Sequence, residues 1–185
     1  MMGEYYLISQ LPSLDGLGEN TPIPITEERF LELCGQLAGK KVSTELHRLS
    51  LVPSRNYEET TSSFIDAWNE NERCLRLALG KVRAEKMKKP FDSGNTSLSL
   101  PILKAASAAV EMDSHLEAEK FLNRYRLDFL ETLRPLDSFS EEFVFYYWLK
   151  LKLLLRMRQF DQEHGELAYR KIYHSIMNTD SLEVM

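Results

Sequence analysis

Few residues in this chain are able to do chemistry, and they are not grouped as chemistry requires. The four histidines are His47, His115, His164 and His174. A di-metal carboxylate bundle needs Glu-x-x-His pairs on facing helices, and none of the four has a glutamate three residues upstream. Asp161 and His164 alone come close to that spacing, and one such pair cannot hold two metals, so no metal or other cofactor is expected. Cys34 and Cys74 form no metal-type pair. Each falls within an apolar helical pattern, which predicts buried free thiols in a reducing cytosol. Gly16-Leu17-Gly18 lacks the third glycine and the following lysine of a phosphate loop. No Gly-x-Ser-x-Gly elbow appears, and Glu27, Glu28, Glu141 and Glu142 are ordinary carboxylates of helix first turns. The expectation is a chain that is not an enzyme.

The polar residues that stand out are suited to binding or packing. Lys81, Arg83, Lys86, Lys88 and Lys89 crowd the carboxyl end of one long predicted helix. They form either a docking face for an acidic partner or phosphate, or a solvated end that the helix dipole favours. Asn71 lies inside the apolar stripe of the same helix. Buried there, it must find a hydrogen-bond partner and can fix the register of packing. Trp68 and Trp148 read as core residues, and Tyr146 and Tyr147 as core or interface.

Helices must position these groups. Tyr5 to Ile8 reads as an extended or briefly helical segment against the core, followed by a loop from Leu11 to Ile25 rich in proline and glycine. Thr26 can cap a helix carrying Phe30, Leu33, Cys34 and Leu37, which Gly39 ends. A weaker helix covers Thr44 to Leu51. The longest helix starts either at an Asn56 and Glu59 capping box or at Ser63. Its stripe of Phe64, Trp68, Leu75, Leu79 and Val82 spans about 60°, with Glu72 at its edge, and Pro90 stops it. Glu70 and Arg73, and Glu72 and Arg76, are spaced as helical ion pairs. Loop 90–101 is the candidate boundary between two small helical lobes.

A small-residue helix then runs from Ile102 to Met112. Ser114 and Glu117 cap the next, whose core face is Ala118, Leu122, Tyr125, Phe129 and Leu133. Ser138 and Glu141 cap the last long helix, which reaches His164, and a shorter helix covers Leu167 to Met177. Phe143 to Met157 is apolar nearly all round, which makes that helix central, with Lys150 and Lys152 snorkelling or meeting carboxylates. The prediction is a single all-α domain over residues 1–185, an irregular bundle of about six helices.

Composition narrows the function classes. The net charge is -5, with 43% hydrophobic and 28% charged residues. That is a folded chain without the basic surplus of a nucleic-acid-binding domain. The apolar stretch Phe143 to Met157 falls short of the ~20 residues of a membrane span, and no basic n-region with an apolar core opens the chain. No direct membrane insertion and a cytoplasmic location are expected.

Several segments together resemble an uncharacterised bacterial family of short helical proteins encoded alongside V-type ATPase subunits. They are Tyr5 to Leu14, Ile25 to Cys34, Trp68 to Leu79, Leu116 to Leu122, Leu149 to Leu154 and Phe160-Asp161. The resemblance implies a counterpart of the pump's C/d component, an all-helical, noncatalytic part that couples the central shaft to the rotor ring. It implies partners among rotor or shaft subunits, a place in proton or sodium transport, and a peripheral position on the inner face of the cell membrane. It supplies no catalytic residues. A self-contained helical adaptor or homo-oligomer unrelated to the pump is the other reading.

Overall fold

Capping chemistry sets where most of the helices start. In a computed structural model that describes residues 2–17, 21–54, 60–92, 94, 96–159, 165, 167 and 169–174, seven helices have defined bounds. They are α1 (Met2–Gln10), α2 (Glu27–Leu37), α3 (Lys40–Arg48), α4 (Ser63–Lys86), α5 (Leu100–Glu111), α6 (His115–Thr132) and α7 (Glu141–Gln159). Residues 169–174 are helical as well. The chain is all-α among its described residues, with more helices than the six expected. One of the additional helices is at the amino end, where Tyr5 to Ile8 belongs to a full helix that buries Leu7.

Thr26 accepts the Arg29 amide at 3.2 Å and Ser114 accepts that of Glu117 at 3.3 Å, as the capping pattern predicts. Ser62 caps α4, so the helix begins at Ser63, and the alternative box of Asn56 and Glu59 lies outside the described residues. At α7 the cap shifts by two residues. Ser140 Oγ rather than Ser138 takes the Phe143 amide, at 3.2 Å. Gly39 does not simply end α2, because it also serves as the amino-terminal cap residue of α3.

Side-chain links give the helix directions. Ser63 Oγ reaches Glu142 at 3.4 Å, so α4 and α7 start at the same end and run parallel. Arg126 meets Glu72, and Arg156 meets Glu119, so α6 runs antiparallel to both. Lys86 Nζ donates to the Val110 carbonyl at 3.0 Å, which places the ends of α4 and α5 together and makes these helices parallel too. The segment joining them therefore runs back along α4. Phe91 lies so close over Gly80 that a Cβ there would stand 2.9 Å from the ring, so a larger residue would push it away. At Phe91 the segment that follows α4 is therefore packed back on that helix.

The apolar core is nevertheless divided. One cluster gathers Leu7, Phe30, Val42, Phe64, Trp68 and Leu130 around α7. The second holds Cys74, Leu75, Ala78 and Leu79 of α4, Ile102, Ala106 and Ala109 of α5, and Leu122 of α6. Small alanines let α5 lie close on α4. Both α4 and α6 pass through both clusters, so the division cuts across two helices. As expected, α7 is central: Val144 through Leu151 are all buried.

Candidate functional site

A layer of polar groups lies where the two apolar clusters meet. On α4 it occupies Asn71 and Glu72, between Trp68 and Leu75. On α6 it occupies Asn123 and Arg126, between Leu122 and Leu130. Glu72 is only 1% exposed, and Arg126 grips it with both arms of its guanidinium. Nε reaches Oε2 at 2.9 Å and Nη2 reaches Oε1 at 3.1 Å. Arg76, one turn along α4, adds Nε to Oε1 at 3.0 Å. Arg126 Nη1 also donates to Asn123 Oδ1 at 3.2 Å. This planar, bidentate geometry suits arginine and not lysine.

The layer does not exhaust its donors. The amide nitrogens of Asn71 and Asn123 are buried with no partner among the described residues. Asn71 is therefore inside the helix packing as predicted, but the hydrogen bond expected of its amide nitrogen is not made to the described protein. Cys74 Sγ donates to Glu70 Oε1 at 3.4 Å. Burial, with help from the Glu70 carboxylate, pushes the Cys74 thiol up to about 11, and burial alone pushes Cys34 to about 12. Neither is a nucleophile in this state.

A second charged cluster ties the segment after α1 to the central helix. Lys150, the one charge inside the buried stretch of α7, donates to Asp15 Oδ1 at 2.6 Å and to Tyr146 Oη at 3.1 Å. It also pairs with Glu131 Oε1 at 2.7 Å. Burial opposes the lysine's charge, but these three acceptors outweigh it and hold the ammonium above the usual lysine range. The hydrogen bond from Lys150, aided by Arg134, holds the Asp15 carboxyl below its usual range despite partial burial. Tyr146 donates to Glu131 Oε2 at 2.8 Å, and Tyr147 donates to the Pro12 carbonyl at 2.8 Å. Every ionised group here faces another, so the cluster reads as a brace.

The five predicted basic residues are brought together at one pole. Arg83, Lys86, Lys88 and Lys89 are exposed and Lys81 is half-buried, and no carboxylate of the described residues lies within ion-pair distance of any of them. Lys88 takes a left-handed backbone with φ of 53° just past the helix end. The opposite pole is aromatic. Tyr5 stacks on Phe139 with ring centroids 4.6 Å apart, Tyr6 meets Tyr5 edge-on at 6.1 Å, and Leu136 is fully exposed in the loop before α7.

Several further predictions meet the structure directly. Trp68 and Trp148 are core residues, and Cys34 and Cys74 are buried free thiols. The helical pairs Glu70 with Arg73 and Glu72 with Arg76 form at 3.8 Å and 3.0 Å. His47, His115 and His174 are exposed, and the Asp161 and His164 pair lies outside the described residues. The predicted inner face of α6 is displaced. Leu122 is buried, but its companions are Asn123, Arg126 and Leu130, while Ala118, Tyr125, Phe129 and Leu133 are only half-buried. Arg126 is turned inward onto Glu72, and Asn123 accompanies it by accepting from its guanidinium. The sequence signal for this is a single Glu at the edge of an apolar stripe, whose local partner Arg76 is legible but whose second cation no local spacing identifies.

Among the described residues no group of three or more His, Cys, Asp or Glu could hold a metal ion, and no helix is long and apolar enough to cross a membrane. Comparison with family models, curated proteins and solved structures finds no match to this chain.

Proposed function

We propose that this chain is a noncatalytic docking protein of a V-type ATPase, similar in role to the pump's C/d component, that binds rotor or central-shaft subunits through helical surfaces. The observation that carries the docking part is the aromatic pole, where Tyr5, Tyr6 and Phe139 lie against one another yet stay exposed, with Leu136 fully exposed three residues before Phe139. Apolar groups clustered in this way mark surfaces that a partner covers. The buried polar groups support the noncatalytic part, because both charged clusters spend their charges on one another. The resemblance of the segments from Tyr5 to Asp161 supplies the class of partner.

The test is affinity purification of the tagged protein from its own cells, with mass spectrometry of the co-purifying proteins. Stoichiometric rotor or shaft subunits, recovered with the wild type and lost with Leu136→Asp or Tyr6→Asp, are the expected result. Recovery of the chain alone from solubilised membranes holding intact ATPase would sink the pump reading. A second reading, self-association, is favoured by residues 169–174. Tyr169, Ile172 and Tyr173 share one side of that helical stretch and are all exposed. Sedimentation velocity over a range of concentrations separates it, since a homo-oligomer needs no other chain.

A further inference from the structure

We propose that the carboxyl-terminal tip of α4 binds an anionic lipid surface. Between residues 81 and 92 the chain carries Lys81, Arg83, Lys86, Lys88 and Lys89 against Glu85 and Asp92 alone, in a protein whose net charge is -5. Lys86 reaches the Val110 carbonyl, so Glu111 at the end of α5 and Asp113 just beyond it share this pole, and five cations stand there against four carboxylates, a small positive surplus. None of the five cations is neutralised by an ion pair within the described chain. Lys86 leans on the Val110 carbonyl yet stays exposed.

Two further observations favour a lipid surface over an acidic protein face. Apolar side chains sit among the cations: Met87 is 59% exposed, and Phe91, its ring packed over Gly80, still leaves 39% of its surface exposed. Apolar groups flanked by lysines are what an interface of headgroups and acyl chains takes up, with the lysine stems snorkelling around them. The cations also lack the order a protein partner would read. Four of the five are lysines, point charges without the fork that matches a fixed carboxylate. Lys81, Arg83 and Lys86 spread over roughly 200° of the helix circumference, at about 100° per residue. Attraction to a negatively charged surface acts over a Debye length of about 8–10 Å, so it does not need the three cations on one face of a helix about 10 Å across. The 24 residues of α4 separate this tip from the aromatic pole by roughly 36 Å. One end can then meet a membrane while the other holds a protein, and the tip binds lipid whatever that protein is.

Co-sedimentation with vesicles of phosphatidylcholine alone, and of phosphatidylcholine and phosphatidylglycerol in equal parts, tests it without any protein partner. Binding to the anionic vesicles only, weakening as salt rises, is expected. Each cation near such a surface contributes about fivefold, so Arg83→Gln with Lys88→Gln and Lys89→Gln lowers partitioning on the order of a hundredfold. Met87→Ser weakens it further at high salt. These side chains are exposed, and unchanged circular dichroism confirms that the variants fold. Leu136→Asp, at the other pole, binds vesicles like the wild type whether or not it loses a protein partner. No binding to either vesicle, equal binding to both, or full binding by the triple variant would overturn the proposal. Capture of an acidic protein by the tip without vesicle binding would overturn it in favour of a protein partner.

Discussion

Removing Arg126 should destabilise the protein more than any surface charge change, and restoring apolar balance should undo most of the loss. In Arg126→Met the Glu72 carboxylate stays 1% exposed in the wild-type packing, and loses two of its three strong donors. Only Arg76, itself nearly half exposed, remains. Breaking a buried pair costs about 3–5 kcal/mol, and the surviving Arg76 contact places this variant near the lower end, at about 3 kcal/mol. Glu72→Leu leaves the Arg126 guanidinium buried with Asn123 as its hydrogen-bonded acceptor, and costs about 4 kcal/mol. The double variant Glu72→Leu/Arg126→Met replaces the ion pair by apolar groups between two apolar clusters, so it should cost about 1 kcal/mol or less. The coupling within this cycle is then about 6 kcal/mol, beyond the usual range for contacting residues because each single change strands a charge. Urea unfolding followed by circular dichroism reads these differences, with an unchanged slope showing that the unfolded reference is shared. Single variants costing under about 1 kcal/mol, or a double variant costing the sum of the two, would refute the claim that a desolvated ion pair joins the two cores.

The remaining predictions concern the brace and the thiols. Asp15 has a lowered pKa in the fold, so its contribution is present above the ordinary aspartate value of about 3.9 and is lost as pH falls through the folded value. Wild type should therefore exceed Asp15→Asn in stability at neutral pH by about 1 kcal/mol, modest because Asp15 is half exposed. The gap should close in acid titrations below about pH 4, and a gap that persists there would deny the carboxylate this role. Cys34 and Cys74 are buried with thiols raised to about 12 and about 11, so neither should react with a thiol reagent at neutral pH until the protein unfolds. Both should then react in denaturant, and a native-state burst from either would show that its helix face is open.

How much of this was legible beforehand depended on the range of the signal. Local chemistry announced itself: Thr26 and Ser114 cap as their spacing requires, Trp68 sits in the core, and Glu72 finds Arg76 one turn away. The stretch of α7 that is apolar nearly all round declared a central helix, because every orientation of it exposes apolar groups to water. Even the basic residues from Lys81 to Lys89 were identifiable as a group.

What the sequence could not settle was every question answered by a residue far along the chain. Glu72 needed a counter-charge, yet nothing local marks Arg126, 54 residues on, as the one that supplies it. Asp15 and Glu131 converge on Lys150 from opposite parts of the chain, and Tyr5 meets Phe139 only because α1 packs on α7. Loop 90–101 has the composition of a linker, but composition reports only that backbone is free to turn, not where it goes. Helical periodicity and capping are properties of neighbouring residues, so the chain by itself determined an all-helical fold and its apolar stripes. Pairing of buried charges and the grouping of exposed aromatics depend on which helices touch. Tertiary packing alone decided the polar layer between the cores and the separation of an aromatic pole from a basic one.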